Sequence, residues 1–129
     1  MAFDFVWDDE ARRVIRYRAM GQWNWNDFHR TVRVSTFHLD NLDHPVETVL
    51  DLRQSARTPA GAVGHLRSLG KKDHANRLPR AIVIGLDAET QRALGAVDGV
   101  YRANEQLIRF VDSEEEAQAI LAEWMGEKD

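Results

Sequence analysis

The stretch that decides the fold is VETVLDLRQSARTPAG, residues 46–61. It opens with an apolar run rich in β-branched residues, which is typical of a buried strand. Asp51–Arg53 ends this strand, and a polar, basic loop follows. Thr58 and Pro59 then form a helix-start signal, because Thr is a favoured N-cap and Pro is favoured at the first helical position. The stretch therefore predicts a central strand that brings its carboxyl end, two arginines and a helix start together.

Strand and helix signals alternate on both sides of this stretch, after an opening hairpin that turns at Asp8–Ala11. The five expected strands are Phe3–Trp7, Val14–Met20, Val46–Arg53, Ala81–Gly85 and Leu107–Val111. The four expected helices run from the Asn24 cap to about Leu42, from Pro59 to about Leu69, from Ala88 to about Ala103, and onward from Ser113. The order β-β-α-β-α-β-α-β-α predicts an α/β fold with a five-stranded mixed sheet. We expect the last four strands to be parallel, the first to be antiparallel at an edge, and the four helices to lie mainly on one face.

Helix-capping signals are strongest around the paired tryptophans. Asn24 with Asp27 three residues later predicts a capping box, and Trp23 and Phe28 occupy the positions of a hydrophobic staple. We interpret Trp23 and Trp25 as a staple and a core residue, with an aromatic ligand wall as the alternative. Ser113 and Glu116 predict a second capping box.

Composition indicates one globular domain, residues 1–129, with 43% hydrophobic and 29% charged residues. Cysteine is absent, which excludes disulfides and thiolate metal sites. The acidic first residues are not typical of a signal peptide, and no apolar run is long enough to span a membrane. A net charge of −4 argues against a general nucleic-acid binder. We therefore expect a cytoplasmic protein that binds no nucleic acid.

The charge is distributed unevenly along the chain. Residues 53–80 contain seven basic residues and one acid, and Lys71–Arg80 is expected to be a basic loop. This segment carries a net charge of +6, so the rest of the chain carries −10. The segment is either an ordinary solvated face or a basic surface that faces a phosphate, a lipid headgroup or an acidic partner.

The order of elements resembles the STAS domain, the SpoIIAA-like fold of bacterial anti-sigma-factor antagonists, which is related to the CRAL-TRIO lipid-binding fold. The segments that carry the resemblance to a STAS-like branch found in bacteria are Trp7-Asp8, Gly21–Trp25, His44–Arg53 and Ile108–Ser113. The resemblance covers nearly the whole chain, and it implies a regulatory or protein-interaction module.

The resemblance also directs attention to the helix after the third strand. Antagonist members carry a serine at the start of that helix, and a partner kinase phosphorylates it. This chain has Thr58–Gly61 there, which keeps the glycine and lacks the serines. The resemblance therefore makes Thr58 and nearby Ser55 candidates for phosphorylation, with a plain capping role for Thr58 as the alternative.

The candidate working surface is the loop between the third strand and the second helix. The candidate partner-binding or anion-binding residues there are Arg53, Arg57, Thr58, Gly61 and His65. A helix N-terminus and two guanidinium groups favour an anion. In the alternative arrangement, the arginines project into solvent or pair with the acidic C-terminal helix.

Catalytic and metal-binding patterns do not emerge from the sequence. None of the five histidines forms a His-x-x-x-His pair, and no nucleophile has a base at a recognisable spacing. We expect no metal, no cofactor and no enzymatic activity. The expected function is a non-catalytic interaction or regulatory module with a protein partner, and a homodimer stays open. A carrier of a small acidic or lipid-like ligand is the first alternative, which a large enclosed apolar pocket would favour. An enzyme of unknown type is the second alternative. A filled core with an exposed apolar patch beside the basic loop would favour the interaction module.

Overall fold

The computed structural model describes residues 2–126, which form six β-strands and four α-helices. The strands are β1 (Phe3–Trp7), β2 (Val14–Gly21), β3 (Val46–Ser55), β4 (Arg77–Ile84), β5 (Val100–Ala103) and β6 (Gln106–Val111). The helices are α1 (Trp25–Leu39), α2 (Ala62–Leu66), α3 (Ala88–Leu94) and α4 (Glu114–Trp124).

All six strands form one mixed sheet in the order β1-β2-β3-β4-β6-β5. The strands β2, β3, β4 and β6 are parallel, as the sequence predicted, and β1 pairs antiparallel with β2 at one edge. At the other edge β5 pairs antiparallel with β6. In register across the centre of the sheet lie Tyr17, Leu50, Val83 and Phe110.

Helices cover both faces of the sheet. Trp25 of α1, Leu66 of α2 and Leu94 of α3 belong to the larger core, which lies on one face. Ile120 and Leu121 of α4 pack with strand residues of the other face, in a second and smaller core. Three helices thus share one face, in line with the prediction, and α4 alone covers the opposite face.

The sixth strand corrects the expected helix Ala88–Ala103. Helix α3 ends at Leu94, because its C-cap Gly95 takes a left-handed φ of 101°. Asp98 and Gly99 also have positive φ, and the chain turns there into β5. Val97, which would lie on the same helix face as the buried Leu94 if the helix continued to Ala103, is 69% exposed as a result.

The second correction concerns the start of α2. The helix begins at Ala62 rather than Pro59, and its N-cap is Gly61, with a φ of 86° and no side-chain cap. Thr58 is therefore not a helix cap. Trp25 holds the preceding loop, since its Nε1 donates hydrogen bonds to the carbonyl oxygens of Pro59 at 3.3 Å and Ala60 at 3.0 Å.

The third correction concerns the expected basic loop Lys71–Arg80. Strand β4 begins at Arg77, which pairs with Val46 of β3. The Arg77 side chain is consequently only 4% exposed. Arg80, three residues on, pairs with the buried carboxylate of Glu47. The basic segment of the sequence therefore does not form one continuous basic surface.

The tryptophan helix agrees with its prediction. Asn24 and Asp27 form the capping box at the start of α1. Trp23 and Trp25 are buried, and their ring centroids lie 4.8 Å apart. The interpretation of Trp25 as a core residue is confirmed, and Trp23, which was expected to be the staple, lies in the same core. Ser113 likewise caps α4, where its Oγ accepts a hydrogen bond from the Glu116 backbone N–H.

Candidate functional site

Arg53, the first residue of the predicted surface, lies in an ion-pair network. Its guanidinium donates to Asp51 through Nε at 3.0 Å and Nη2 at 2.6 Å, and to Glu114 at 2.9 Å. Glu114 is the first residue of α4. Arg53 thus takes the alternative arrangement, in which it pairs with the acidic C-terminal helix.

Arg16 extends this network into the protein. Its side chain is 8% exposed and donates to the carboxylates of Asp8, Asp51 and Glu114 at 2.7–3.0 Å. Burial alone would raise the pKa of Asp51, but the hydrogen bonds and charge of Arg53, with a bond from Arg16, hold that pKa below its ordinary value. Burial would also raise the pKa of Glu114, but the hydrogen bonds from Arg16 and the charges of Arg16 and Arg53 hold that pKa below its ordinary value. The network therefore joins the β1–β2 turn, β3 and α4 as a set of compensated charges.

The other loop residues of the predicted surface lie apart from this network. Arg57 is exposed, and Thr58 and Gly61 line a shallow hollow together with Asp87 and Thr90. The negative charge of the Asp87 carboxylate disfavours the binding of an anion in this hollow. The roles of Arg57, Thr58 and Gly61 in binding stay predictions.

The two phosphorylation candidates differ in how their hydroxyl groups are used. Ser55 accepts a hydrogen bond from Trp23 Nε1 at 2.7 Å and donates to the Arg57 carbonyl at 3.2 Å. Thr58 is half-buried in the loop that precedes α2. Phosphorylation of either residue stays a prediction.

His65, the last predicted site residue, belongs to a contact between α1 and α2. Its ring stacks on Trp25 with the centroids 4.8 Å apart, and its Nδ1 lies 2.8 Å from His29 Nε2. Burial lowers the pKa of His29, and His65 and Arg33 add to the effect. The two rings therefore share one hydrogen bond, in which one nitrogen donates and the other accepts. The sequence did not indicate this pair, since 36 residues separate its members.

A cavity of about 280 Å³ lies beneath α1, next to the starts of β3 and β4 and the loop 67–76. Its polar lining includes Tyr17, Thr48 and Arg77, and the first two of these side chains are fully buried. Its apolar lining includes Phe28 and Val32 of α1. The volume is slightly below the usual range for ligand pockets, about 300–1,000 Å³, so this is not the large enclosed pocket that would favour a lipid carrier.

The buried polar groups of the cavity form a directed chain of hydrogen bonds. Arg77 Nη2 donates to the Tyr17 hydroxyl at 2.9 Å. Tyr17 lies 2.7 Å from Ser35 Oγ, which donates onward to the Val32 carbonyl at 2.6 Å. Because Ser35 uses its proton on that carbonyl, Tyr17 is the donor to Ser35. Burial raises the pKa of Tyr17, so its phenol stays neutral.

Comparison with solved structures identifies a similar chain of the same architecture. It is the crystal structure of an uncharacterized protein of the DUF3478 family, described as having a SpoIIAA-like fold, from Shewanella loihica PV-4. The match covers 93% of this chain and 94% of that one, with a TM-score of 0.59 and 15% sequence identity. The present chain has a SpoIIAA-like fold. The fold expected from the resemblance is therefore confirmed, while a likeness at this identity shows the fold alone. No protein-family model and no curated protein matches the chain.

The SpoIIAA-like fold of this chain leaves large apolar side chains on the outside of α1. Phe37 is 67% exposed and Val34 is 46% exposed. Arg30 and Arg33 lie on the same side of the helix and are also exposed. We call Arg30, Arg33, Val34 and Phe37 the outer face of α1. The sequence analysis did not single out these residues. None of them belongs to the buried stripe of the helix, which consists of Trp25, Phe28, Ser35 and Leu39.

Residues 2–126 contain neither a cluster of metal ligands nor a membrane-spanning helix. Within that range, no three His, Asp or Glu side chains are grouped so as to hold a metal ion. No helix in that range has the length and apolar character needed to cross a membrane.

Proposed function

We propose that this chain is a non-catalytic protein-interaction module and that its partner presents an acidic surface. The observation that carries the proposal is the exposure of Phe37, 67%, beside Val34 on the outer face of α1. The opposite face of α1 already buries Trp25, Phe28 and Leu39, so Phe37 contributes nothing to this core. Exposed aromatic side chains accompanied by arginine are enriched at protein interfaces.

Charge favours an acidic partner. Arg33 is exposed on the outer face of α1, and within residues 2–126 the one ion pair of Arg30 is a 3.7 Å contact with Asp27, three residues away. Surface pairs of this kind contribute about 0–1 kcal/mol, so a partner can compete for Arg30. Two accessible guanidinium groups beside an apolar centre complement a surface with carboxylates around an apolar patch.

The loop that the sequence indicated lies at one end of this surface. Trp25, at the start of α1, binds the backbone of the loop at Pro59 and Ala60. We propose that a partner lying along α1 extends past its N-terminus to Arg57 and Thr58. In this way the predicted surface between β3 and α2 becomes the rim of a larger one.

The non-catalytic part of the proposal is supported by how the ionisable side chains are used. Asp51 and Glu114 bind arginines, and His29 and His65 bind each other. A general base must reach a substrate proton. These side chains are instead committed to contacts between elements of the fold.

Affinity capture from cells of the source organism tests the proposal. The baits are the wild type, Phe37→Ser, Arg33→Glu and the control Val97→Ser, which removes an equally exposed apolar side chain at the α3–β5 turn. We expect the wild type and the control to retain a protein with an acidic surface. The two variants of the outer face should retain about tenfold less, the order expected when an interface centre is lost.

Two results would contradict the proposal. One is capture of the same proteins, in the same amounts, by all four baits after each is shown to unfold cooperatively. The other is a loss of sedimentation with anionic vesicles on Phe37→Ser, while the captured proteins do not change. The second result would assign the outer face of α1 to a membrane surface.

A further inference from the structure

Arg77 is a buried cation with an incomplete set of partners. Its side chain is 4% exposed. It donates to Asp73 Oδ1 from Nε at 2.7 Å, to Thr48 Oγ1 from Nη1 at 3.2 Å, and to the Tyr17 hydroxyl from Nη2 at 2.9 Å. A guanidinium has five N–H groups, so each terminal nitrogen keeps a second N–H that has no acceptor among residues 2–126.

The charge of Arg77 is compensated by one carboxylate. Thr48 is neutral, and Tyr17 is a neutral phenol whose O–H donates a hydrogen bond to Ser35. The carboxylate is that of Asp73, whose side chain is 45% exposed and which lies in the loop 67–76. A buried charge is costly unless it is both paired and hydrogen-bonded. Arg77 therefore depends on a partner that belongs to the protein surface.

The contact between Asp73 and Arg77 uses one oxygen and one nitrogen. A guanidinium can offer a carboxylate two parallel N–H···O bonds, which is the stronger and more specific arrangement. The Arg18–Asp4 pair elsewhere in this chain has that arrangement, with Nε and Nη2 each bound to a different carboxylate oxygen. The Asp73 carboxylate does not form this pair of parallel hydrogen bonds with Arg77.

The rest of the cavity suits the body of a small organic acid. Phe28, Val32 and Leu69 supply apolar wall, and the exposed Lys71 adds a second positive charge at the rim. His29 also lines the cavity, and its lowered pKa favours the neutral ring. The volume of about 280 Å³ limits the ligand to a small molecule.

We propose that this cavity binds a small carboxylic acid with an apolar body, whose carboxylate replaces Asp73 at Arg77 and forms two parallel hydrogen bonds with the guanidinium. This site is separate from the outer face of α1, so the test of this proposal is independent of the test of the protein-interaction proposal.

Titration with sodium hexanoate, followed by backbone amide NMR, tests the proposal on the full chain. We expect saturable shifts at Val32, Gly70 and Lys71, and about tenfold weaker binding of 1-hexanol, which has the same number of carbon atoms and no charge. Asp73→Asn removes the competing carboxylate and should tighten hexanoate binding about tenfold, the order of one charge-assisted hydrogen bond. The control Asp43→Asn removes an exposed negative charge outside the cavity and should leave the affinity unchanged.

Asp73 carries the test because replacement of the buried Arg77 can unfold the chain. Three results would overturn the proposal. They are the absence of saturable binding of hexanoate to the folded wild type, equal binding of hexanoate and 1-hexanol, and an Asp73→Asn variant that folds but binds hexanoate no more tightly than the wild type.

Discussion

At the scale of single residues, Arg16 and Arg18 show how surroundings decide what an ion pair contributes. Both lie on β2, two residues apart and therefore on the same face of the sheet. Arg16 is 8% exposed and binds three carboxylates, whereas Arg18 is 41% exposed and binds Asp4 alone. Removing Arg16 takes away the cation that both Asp8 oxygens bind, and it leaves the carboxylates of Asp51 and Glu114 to the more exposed Arg53.

We therefore expect Arg16→Gln to lower the free energy of unfolding by about 3–5 kcal/mol, the cost of breaking a buried pair. Arg18→Gln, the matched control on the same strand, should cost no more than about 1 kcal/mol. Urea denaturation of both variants measures the difference. Equal costs would mean that the Arg16 network is as weak as a surface pair.

The His29–His65 pair predicts a pH dependence of stability. The pKa of His29 is lower in the folded chain than its ordinary value of 6.5. The unfolded chain therefore takes up this proton at a higher pH than the folded chain does. The contribution of His29 to stability is fully present above pH 6.5 and is lost as the pH falls through the lowered pKa.

Replacing His29 by Gln should remove this part of the pH dependence. We expect the wild type to lose more stability than His29→Gln between about pH 7.5 and about pH 5.5, the range in which histidine titrates. Urea denaturation at both pH values measures the loss, with His44→Gln as the control at a histidine outside the pair. An unchanged loss in His29→Gln would exclude the pair as the source.

At the scale of elements, the sequence predicts the start of a helix correctly where neighbouring residues determine it. It fails where a contact with a distant residue determines it. Helix α1 starts where expected because Asn24 and Asp27 cap it within four residues. Helix α2 starts later than expected, because Trp25 binds the carbonyls of Pro59 and Ala60 and keeps that segment out of the helix. That contact spans more than 30 residues and leaves no local signal.

The missed strand β5 has a different cause. Leu94, Val97 and Tyr101 are spaced as one face of a helix. This spacing favours a helix that continues to Ala103, whereas the turn signals favour a hairpin. Asp98-Gly99 is a strong turn dipeptide, and both residues have positive φ. Asn104, with a φ of 48°, marks the next turn. The local chemistry for a hairpin was therefore present in the sequence.

Two of the expected caps, Asn24 and Thr58, give an element-scale prediction. Asn24→Ala removes a side chain that caps α1 and should lower the free energy of unfolding by about 0.5–2 kcal/mol. Thr58→Ala should change it by no more than about 0.5 kcal/mol, because Thr58 caps no helix. Thermal and urea denaturation measure both changes. A large loss in Thr58→Ala would indicate that α2 begins at Pro59 in solution.

At the scale of the whole molecule, the sheet brings together residues that the sequence keeps apart. Tyr17 and Thr48 meet Arg77 across 60 and 29 residues of chain, so their cavity has no sequence motif. The four parallel strands were predictable, because alternating strand and helix signals constrain the topology. The SpoIIAA-like fold was expected from the resemblance of the chain to that family. The sequence indicates the outer face of α1 only indirectly, because the apolar residues Val34 and Phe37 do not belong to the buried stripe of the helix.

The most direct measurement on the proposed function is site-specific photo-crosslinking in cells of the source organism. A photoreactive phenylalanine analogue replaces Phe37 in one variant and Val97 in the control, since both positions carry highly exposed apolar side chains. We expect position 37 to form a covalent adduct with a discrete acidic protein and position 97 to form none. No adduct at position 37, or the same adduct at both positions, would contradict the assignment of the outer face of α1 as a protein-binding surface.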